Sequence, residues 1–192
     1  MTTLLLTHPA CLQHETGPGH PERPDRLRAI LRALEAPEFD GLLREEAPRV
    51  GLDALARVHS AAYVERVLGA IPAAGLVEVG EDTTVSPGSG EAALRAAGAV
   101  CAAVEAVVAG KARNAFCAVR PPGHHAGRER AMGFCLFNNV VVGARHAQTL
   151  PGVKRVAILD FDLHHGNGTQ EVVEEDDSLF YASTHQLSLI HI

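Results

Sequence analysis

KRVAILDFD, residues 154–162, is an apolar run with basic residues at its start and two aspartates near its end. A strand with one face in water alternates apolar and polar residues. This one is aliphatic on both faces, the pattern of a strand in the interior of a parallel sheet. Parallel neighbours need crossovers of a dozen or more residues, usually helical. The run therefore demands that the rest of the chain supply alternating strands and helices.

It does. LLLTH (4–8) reads as a short strand entering the loop CLQHETGPGHPERP. Pro24 sits just inside a helix whose Leu27, Ile30, Leu31 and Leu34 recur at i, i+3, i+4 and i+7. A second helix is predicted over LDALARVHSAAYVERVLGAI (52–71). VGEDTTVSPGSG is turn-rich, and an alanine-rich helix follows from about Glu91 to Ala109, with Gly110 as its stop. NAFCAV reads as a short strand broken by RPPGHHAGRERAMG, and a helix is expected from near Asn138 to Gln148. After KRVAILDFD, HHGNGTQEVVEE turns into another helix and SLFYAST is the next strand. The expected class is α/β with a mostly parallel sheet and right-handed crossovers. Ligands of such sheets bind at the carboxyl ends of the strands. No repeat or linker divides the chain, so residues 1–186 are read as a single domain.

Composition narrows the function classes. Nearly half of the 192 residues are apolar and a fifth charged, as in a globular protein with one substantial core. The formal net charge of -6 gives no electrostatic case for nucleic acid or an anionic membrane. MTTLLLTHPA lacks a basic n-region and is not expected to act as a signal peptide. Residues 90–110 carry Glu91, Arg95 and Glu105, so they read as a buried helix rather than a membrane span. Four dispersed cysteines, with no Cys-x-x-Cys pair, fit reduced thiols in a cytoplasm better than a zinc knuckle or a disulfide framework. Eleven histidines against two tyrosines and no tryptophan is a marked skew, and several of them fall in glycine- or proline-bearing loops.

In ILDFDLHHGNG (158–168), an extended chain would place Asp160, Asp162 and His164 on one face at the open end of the strand. Oxygen and nitrogen donors two residues apart can share a divalent cation, zinc being a natural occupant, and the cation would offset the cost of burying carboxylates. Taken singly, these residues could be a helix-capping aspartate and solvent-facing histidines. RPPGHHAG (120–127) follows another strand; Pro121, Pro122 and Gly123 form a turn presenting His124 and His125. Two imidazoles near a metal-bound water could serve as general base and general acid, each needing an acceptor on its far nitrogen. Asp160 and Asn167 are the candidates for those acceptors. Cys135 reads as a small buried residue rather than a nucleophile.

RPPGHHA, GFCLFNN and LDFDLHHGNGTQ, in this order and spacing, resemble the zinc-dependent histone deacetylase family, which includes acetoin-utilisation proteins and acetylpolyamine amidohydrolases. The likeness extends to TGPGHPERPDRL, VHSAAYVERV and EDTTVSPGSGEAALRAAGAV and covers the chain to about His185, closest to the bacterial and class II branch. It implies a three-layer α/β/α fold of the arginase/deacetylase type. It also implies zinc (iron the alternative) held by Asp162 and His164, with the tandem His124 and His125 backed by Asp160 and Asn167. Gly133 and Phe134 match the acyl tunnel wall, and Asp82 a rim carboxylate that holds a peptide substrate. Asp160, Asp162, His164 and Ser183 resemble a monovalent-cation site, with potassium the expected ion. His20, with Glu22, Arg23 and Arg26, matches a further motif read as mainly structural. The substrate implied is acetyl-lysine, an acetylated polyamine or a similar amine.

The family's third zinc ligand and its oxyanion donor, which come later in the fold, have no counterpart here. The chain is therefore expected to be the N-terminal portion of a longer protein and inactive alone, with residues 187–192 (LSLIHI at the end) a non-native tail. Two other readings stay open: a non-catalytic module of the same fold that binds acylated ligands, and arginase-like chemistry, which a single D-x-H cluster fits less well.

Overall fold

The computed structural model describes residues 2–187, so the expected tail at 187–192 lies outside the described residues apart from the exposed Leu187. The first strand, β1 (Thr3–Thr7), is the centre of a three-stranded parallel sheet. Its neighbours are β2 (Leu43–Glu46) on one side and β5 (Asn114–Cys117) on the other. Leu4 and Leu6 bury one face of β1 against Ala99, Ala103 and Ala106 of the long helix α4 (Ser89–Val108). Leu5 buries the other face with Leu27 and Leu34, at α1 (Pro24–Ala33). Helix, sheet, helix: the three layers are present around β1. Ile30, on the predicted stripe of α1, stands at its solvent edge, while Leu27 and Leu34 carry the burial.

The second helical stretch divides in two. Helix α2 (Leu52–Leu55) ends before Ser60, whose hydroxyl accepts the Tyr63 N–H and caps a separate α3 (Ala61–Gly69). The turn-rich segment contains a small antiparallel hairpin, β3 (Val77–Gly80) with β4 (Thr83–Val85), reversing at Glu81 and Asp82. Helix α5 (Asn139–Ala147) begins as predicted, with the Asn138 carboxamide accepting the Val141 N–H.

The apolar run is a strand, β6 (Val156–Asp160), followed by α6 (Asn167–Val173) and the parallel β7 (Leu179–Ser183). Ile158 and Leu179 enter the main core with Leu94 and Ala97 of α4 and Val141 and Val142 of α5. The opposite face is open: Leu159 is 70% exposed and Phe180 61% exposed. The expected two-sided burial is thus met on one side only. Among the described residues β6 pairs with β7 alone, and β5 with β1 alone. Between their free edges lies a cavity of about 510 Å³, lined by Cys117 and Val119 on one side and by Ile158 to Leu163 on the other. The sheet is parallel as predicted, but in two separate ladders.

Ahead of β5's carboxyl end, His14, Glu22 and Arg120 form a buried cluster. His14 Nδ1 lies 2.6 Å from Ser89 Oγ, while Nε2 has no hydrogen-bond partner and stands 3.5 Å from Glu22 Oε2. Burial pushes the His14 pKa from 6.5 down to about 4, against the attraction of Glu22. The ring is therefore neutral in the folded chain at pH 7, and the contact with Glu22 is not an ion pair. Below pH 6.5 the unfolded state binds a proton that the folded state refuses, so stability falls as the pH drops from 6.5 towards 4. The loss expected from His14 is about 3 kcal/mol. Urea denaturation between pH 7 and 4.5 measures it. The His14→Gln variant should lose less stability over that range, and equal losses would contradict this assignment. His59, whose pKa is also lowered by burial, leaves a residual slope of the same sign.

Candidate active site

The tandem histidines sit on the loop after β5 and are held from three directions. The His124 carbonyl accepts the Thr169 N–H at 3.0 Å, tying the loop to the first turn of α6. The Asn138 carboxamide donates to the Ala126 carbonyl at 3.0 Å and to Thr169 Oγ1 at 3.2 Å. Asn138 N–H in turn donates to His59 Nε2 at 2.9 Å. Asn138, Thr169 and His59 are all buried, so the loop rests on a satisfied polar network in the interior.

On this platform the two imidazoles lie side by side, centroids 4.1 Å apart and planes inclined by 44°. Nδ1 of His124 lies 2.9 Å from Asp160 Oδ2, and Nδ1 of His125 lies 2.6 Å from Asn167 Oδ1. Asn167 Nδ2 donates to Met132 Sδ at 3.4 Å, consistent with its oxygen facing the ring. The far nitrogens of both rings are thus occupied by the two partners expected from sequence. Burial pushes the His125 pKa below its ordinary value; the Asn167 hydrogen bond opposes this, and the His124 and His164 rings reinforce it. Burial would raise the Asp160 carboxyl, but hydrogen bonds from His124, from Asp162 N–H and from Tyr181 outweigh it and hold Asp160 below the usual carboxylate value.

Strand β6 ends at Asp160, not at Asp162. Asp160 Oδ1 accepts the Asp162 N–H at 3.1 Å and Asp162 Oδ1 the His164 N–H at 2.8 Å, two side-chain turns that replace the extended path. The residues still converge. Asp162 Oδ1 lies 3.8 Å from His124 Nε2 and 3.4 Å from His164 Nδ1, and the His125 and His164 rings are 6.1 Å apart. Ser183 pairs with Asp160 across the β6–β7 ladder, its hydroxyl 2.8 Å from His185 Nδ1.

The loop carrying Gly133 and Phe134 closes over His125. Both residues have positive φ, 57° and 68°. A Cβ on Gly133 would overlap the His125 ring, so only glycine lets the loop lie on the imidazole. The loop is bracketed by the β3–β4 hairpin: Gly133 N–H donates to Asp82 Oδ1 at 2.9 Å and Phe134 N–H to Thr83 Oγ1 at 3.1 Å. The Phe134 ring meets His20 edge-on at 4.7 Å. Asp82 is exposed, and its Oδ1 accepts from this loop and from the Thr83 hydroxyl. Cys135 is fully buried, and burial pushes its thiol up to about 12.

Asp162 and His164 are two adjacent donors, with side chains 47% and 64% exposed. Among the described residues no group of three or more His, Cys, Asp and Glu could hold a metal ion. Catalytic zinc usually takes three protein ligands. The described residues therefore do not complete a zinc centre by themselves.

Sequence reasoning did not single out three contributors. Arg120 lies inside the RPPGHHAG motif but was not assigned a role, and its bidentate bond to buried Glu22 anchors the loop's start. The Asn138–Thr169–His59 network is tertiary, although Asn138 stands in the quoted GFCLFNN. Tyr181, in SLFYAST, donates its hydroxyl to Asp160 Oδ2 at 3.2 Å. Its link to Asp160 is set by the β6–β7 register, which the sequence alone does not carry.

Two imidazoles, one backed by a carboxylate and the other by an amide, thus face an Asp-x-His strand end. The histone deacetylase domain model matches residues 20–190. A histone deacetylase-like amidohydrolase of Pseudomonas aeruginosa is 40% identical over 92% of this chain and 51% of its own length. A probable deacetylase of Archaeoglobus fulgidus is 36% identical over 98% of the chain and 53% of its own length. The crystal structure of the HDA15 HD domain superposes with a TM-score of 0.91 at 38% identity, over 96% of this chain and 53% of that one. The chain belongs to the histone deacetylase family, and it spans about half the length of these relatives. Among the described residues no helix is long and apolar enough to cross a membrane.

Proposed function

We propose that this chain is part of a metal-dependent amidohydrolase that removes acetyl or short acyl groups from acetyl-lysine, an acetylated polyamine or a similar amine. The observation that carries the reading is the paired occupation of Nδ1 on His124 and His125 by Asp160 and Asn167. A histidine that donates through Nδ1 offers Nε2 as its proton-exchange position. His125, kept neutral by burial and backed by a neutral amide, takes the proton of the attacking water. His124, backed by the Asp160 carboxylate, serves the leaving amine. Gly133 and Phe134 form the wall that grips the acyl-bearing stem, and Asp82 serves the rim. Asp162 and His164 are two ligands of the ion, which we take to be zinc, with iron the alternative. Asp160, Asp162, His164 and Ser183 form the potassium-type site. A cytoplasmic setting fits the four free thiols.

The completed site, on this proposal, includes chain beyond residue 192. Its support is the pair of donors at Asp162 and His164, the half-length match to relatives and the edges of β5 and β6 left unpaired among the described residues. Resequencing the locus tests it: a stop codon directly after Ile192 in genomic DNA would refute the longer protein. The two-donor set also favours a second reading, a non-catalytic acyl-ligand module of the same fold. A fluorogenic acetyl-lysine assay on the complete gene product separates the two. Chelator-sensitive release is expected, and its absence would favour the binding module.

A further inference from the structure

Strand β7 carries a side chain that touches both halves of the histidine machinery. In the parallel ladder Tyr181 lies opposite Ile158, and Ser183 opposite Asp160. Positions two apart on a strand share a face, so the Tyr181 phenol runs along β7 towards the Asp160 carboxylate. Its hydroxyl stands 3.2 Å from Asp160 Oδ2, the same oxygen that lies 2.9 Å from His124 Nδ1. The other carboxylate oxygen accepts the Asp162 N–H. On its second side the hydroxyl accepts the N–H of buried Gly166 at 3.1 Å. Gly166 caps α6, and the next residue, Asn167, is the partner of His125. The four groups are in close contact. A Cβ on Gly166 would overlap Asp160 Oδ2 and come within 2.8 Å of the Tyr181 hydroxyl and 3.0 Å of His124 Nδ1.

We propose that Tyr181 is a positioning residue for the tandem histidines: its hydroxyl fixes the Asp160 carboxylate behind His124 and the Gly166 backbone that sets Asn167 behind His125. A carboxylate with donors on both oxygens has one favoured rotation about its χ2. Losing the phenol hydroxyl leaves His124 as the remaining side-chain donor to Oδ2, which loosens that rotation, and leaves the Gly166 N–H without its acceptor. Tyr181 touches no reacting atom in this arrangement and acts only through Asp160 and Gly166. The inference rests on the amidohydrolase reading for its importance in turnover, but not for its geometry.

The test is Tyr181→Phe in the full chain, read by long-range proton–nitrogen correlation NMR of the histidine rings. In the parent chain His124 should be a single Nδ1–H tautomer. In Tyr181→Phe it should become a mixture of tautomers, while His146, remote from the site, keeps its signals. A single unchanged His124 tautomer in a folded Tyr181→Phe chain would overturn the proposal. Should that variant not fold, the chain's two tyrosines allow a second measurement after uniform 3-fluorotyrosine incorporation. Asp160→Asn should then move the fluorine resonance of Tyr181 and leave that of Tyr63, and an unmoved Tyr181 signal would overturn the coupling. Neither readout needs turnover, so a failure of acetate release sinks the amidohydrolase reading without touching this one. Where release is observed, Tyr181→Phe should lower kcat about tenfold at unchanged KM. An unchanged kcat would count against it.

Discussion

Replacing Arg120 with methionine should destabilise the chain by about 3–5 kcal/mol, the cost of stranding a buried charge. Arg120 is 4% exposed and Glu22 fully buried. Nε and Nη2 of the guanidinium donate to the two Glu22 oxygens at 2.6 and 2.5 Å. Nη1 and Nη2 also donate to the carbonyls of Cys11 and His14 at 2.8 and 3.0 Å. The planar fork satisfies four acceptors at once, which lysine could not do. Removing it leaves Glu22 with Arg26 at 3.9 Å as its nearest remaining cation, an exposed side chain at the edge of ion-pair range. It also leaves two main-chain carbonyls unsatisfied. The double variant Glu22→Leu/Arg120→Met should be less destabilised than Arg120→Met alone, because it removes the uncompensated charge as well. Urea denaturation followed by circular dichroism measures both. A loss below about 1 kcal/mol for the single variant would mean that the pair is not buried in solution.

The second large effect is catalytic. His125→Ala in the complete gene product should lower acetyl-amine hydrolysis by about 10²- to 10⁴-fold, the usual contribution of a positioned general base. The wall proposed for the substrate at Gly133 and Phe134 remains, so KM should change little. His146→Ala, on α5 and paired with Glu105 away from the site, should leave the rate unchanged. Steady-state kinetics on acetyl-lysine peptide decides it. An H125A rate within a few-fold of the parent would remove His125 from the reaction.

The legibility of the fold followed the length and pattern of each element. KRVAILDFD and the alanine-rich α4 announced themselves through continuous apolar patterning, and α5 through its Asn138 cap. Strand β2 (LREE) did not, because a charged edge strand takes its structure from β1 rather than from its own residues. The α2–α3 break was concealed because the apolar spacing runs across it, although Ser60 gave a capping signal. The β3–β4 hairpin is too short for its alternation to stand out among turn residues. At the site, the residues proposed to carry the chemistry stand in two compact motifs and were readable. The groups that orient them were not: Arg120 with Glu22, Asn138 with Thr169 and His59, and Tyr181 with Asp160 are joined by strand register and helix packing across long sequence separations. The expectation that Asp160, Asp162 and His164 lie on one extended face met a different local geometry. Side-chain turns, not strand alternation, bring them together.

The account stands on one convergence, that of the β6 terminus with the paired rings at 124 and 125 about a single divalent ion. Anomalous diffraction at the zinc edge, from crystals of the complete gene product grown with zinc, tests it most directly. One anomalous peak within about 2.0–2.2 Å of both an Asp162 oxygen and a His164 nitrogen, on the Nε2 side of His124 and His125, is the expected result. A zinc peak elsewhere in the protein, or one from which those two residues are both absent, would contradict it.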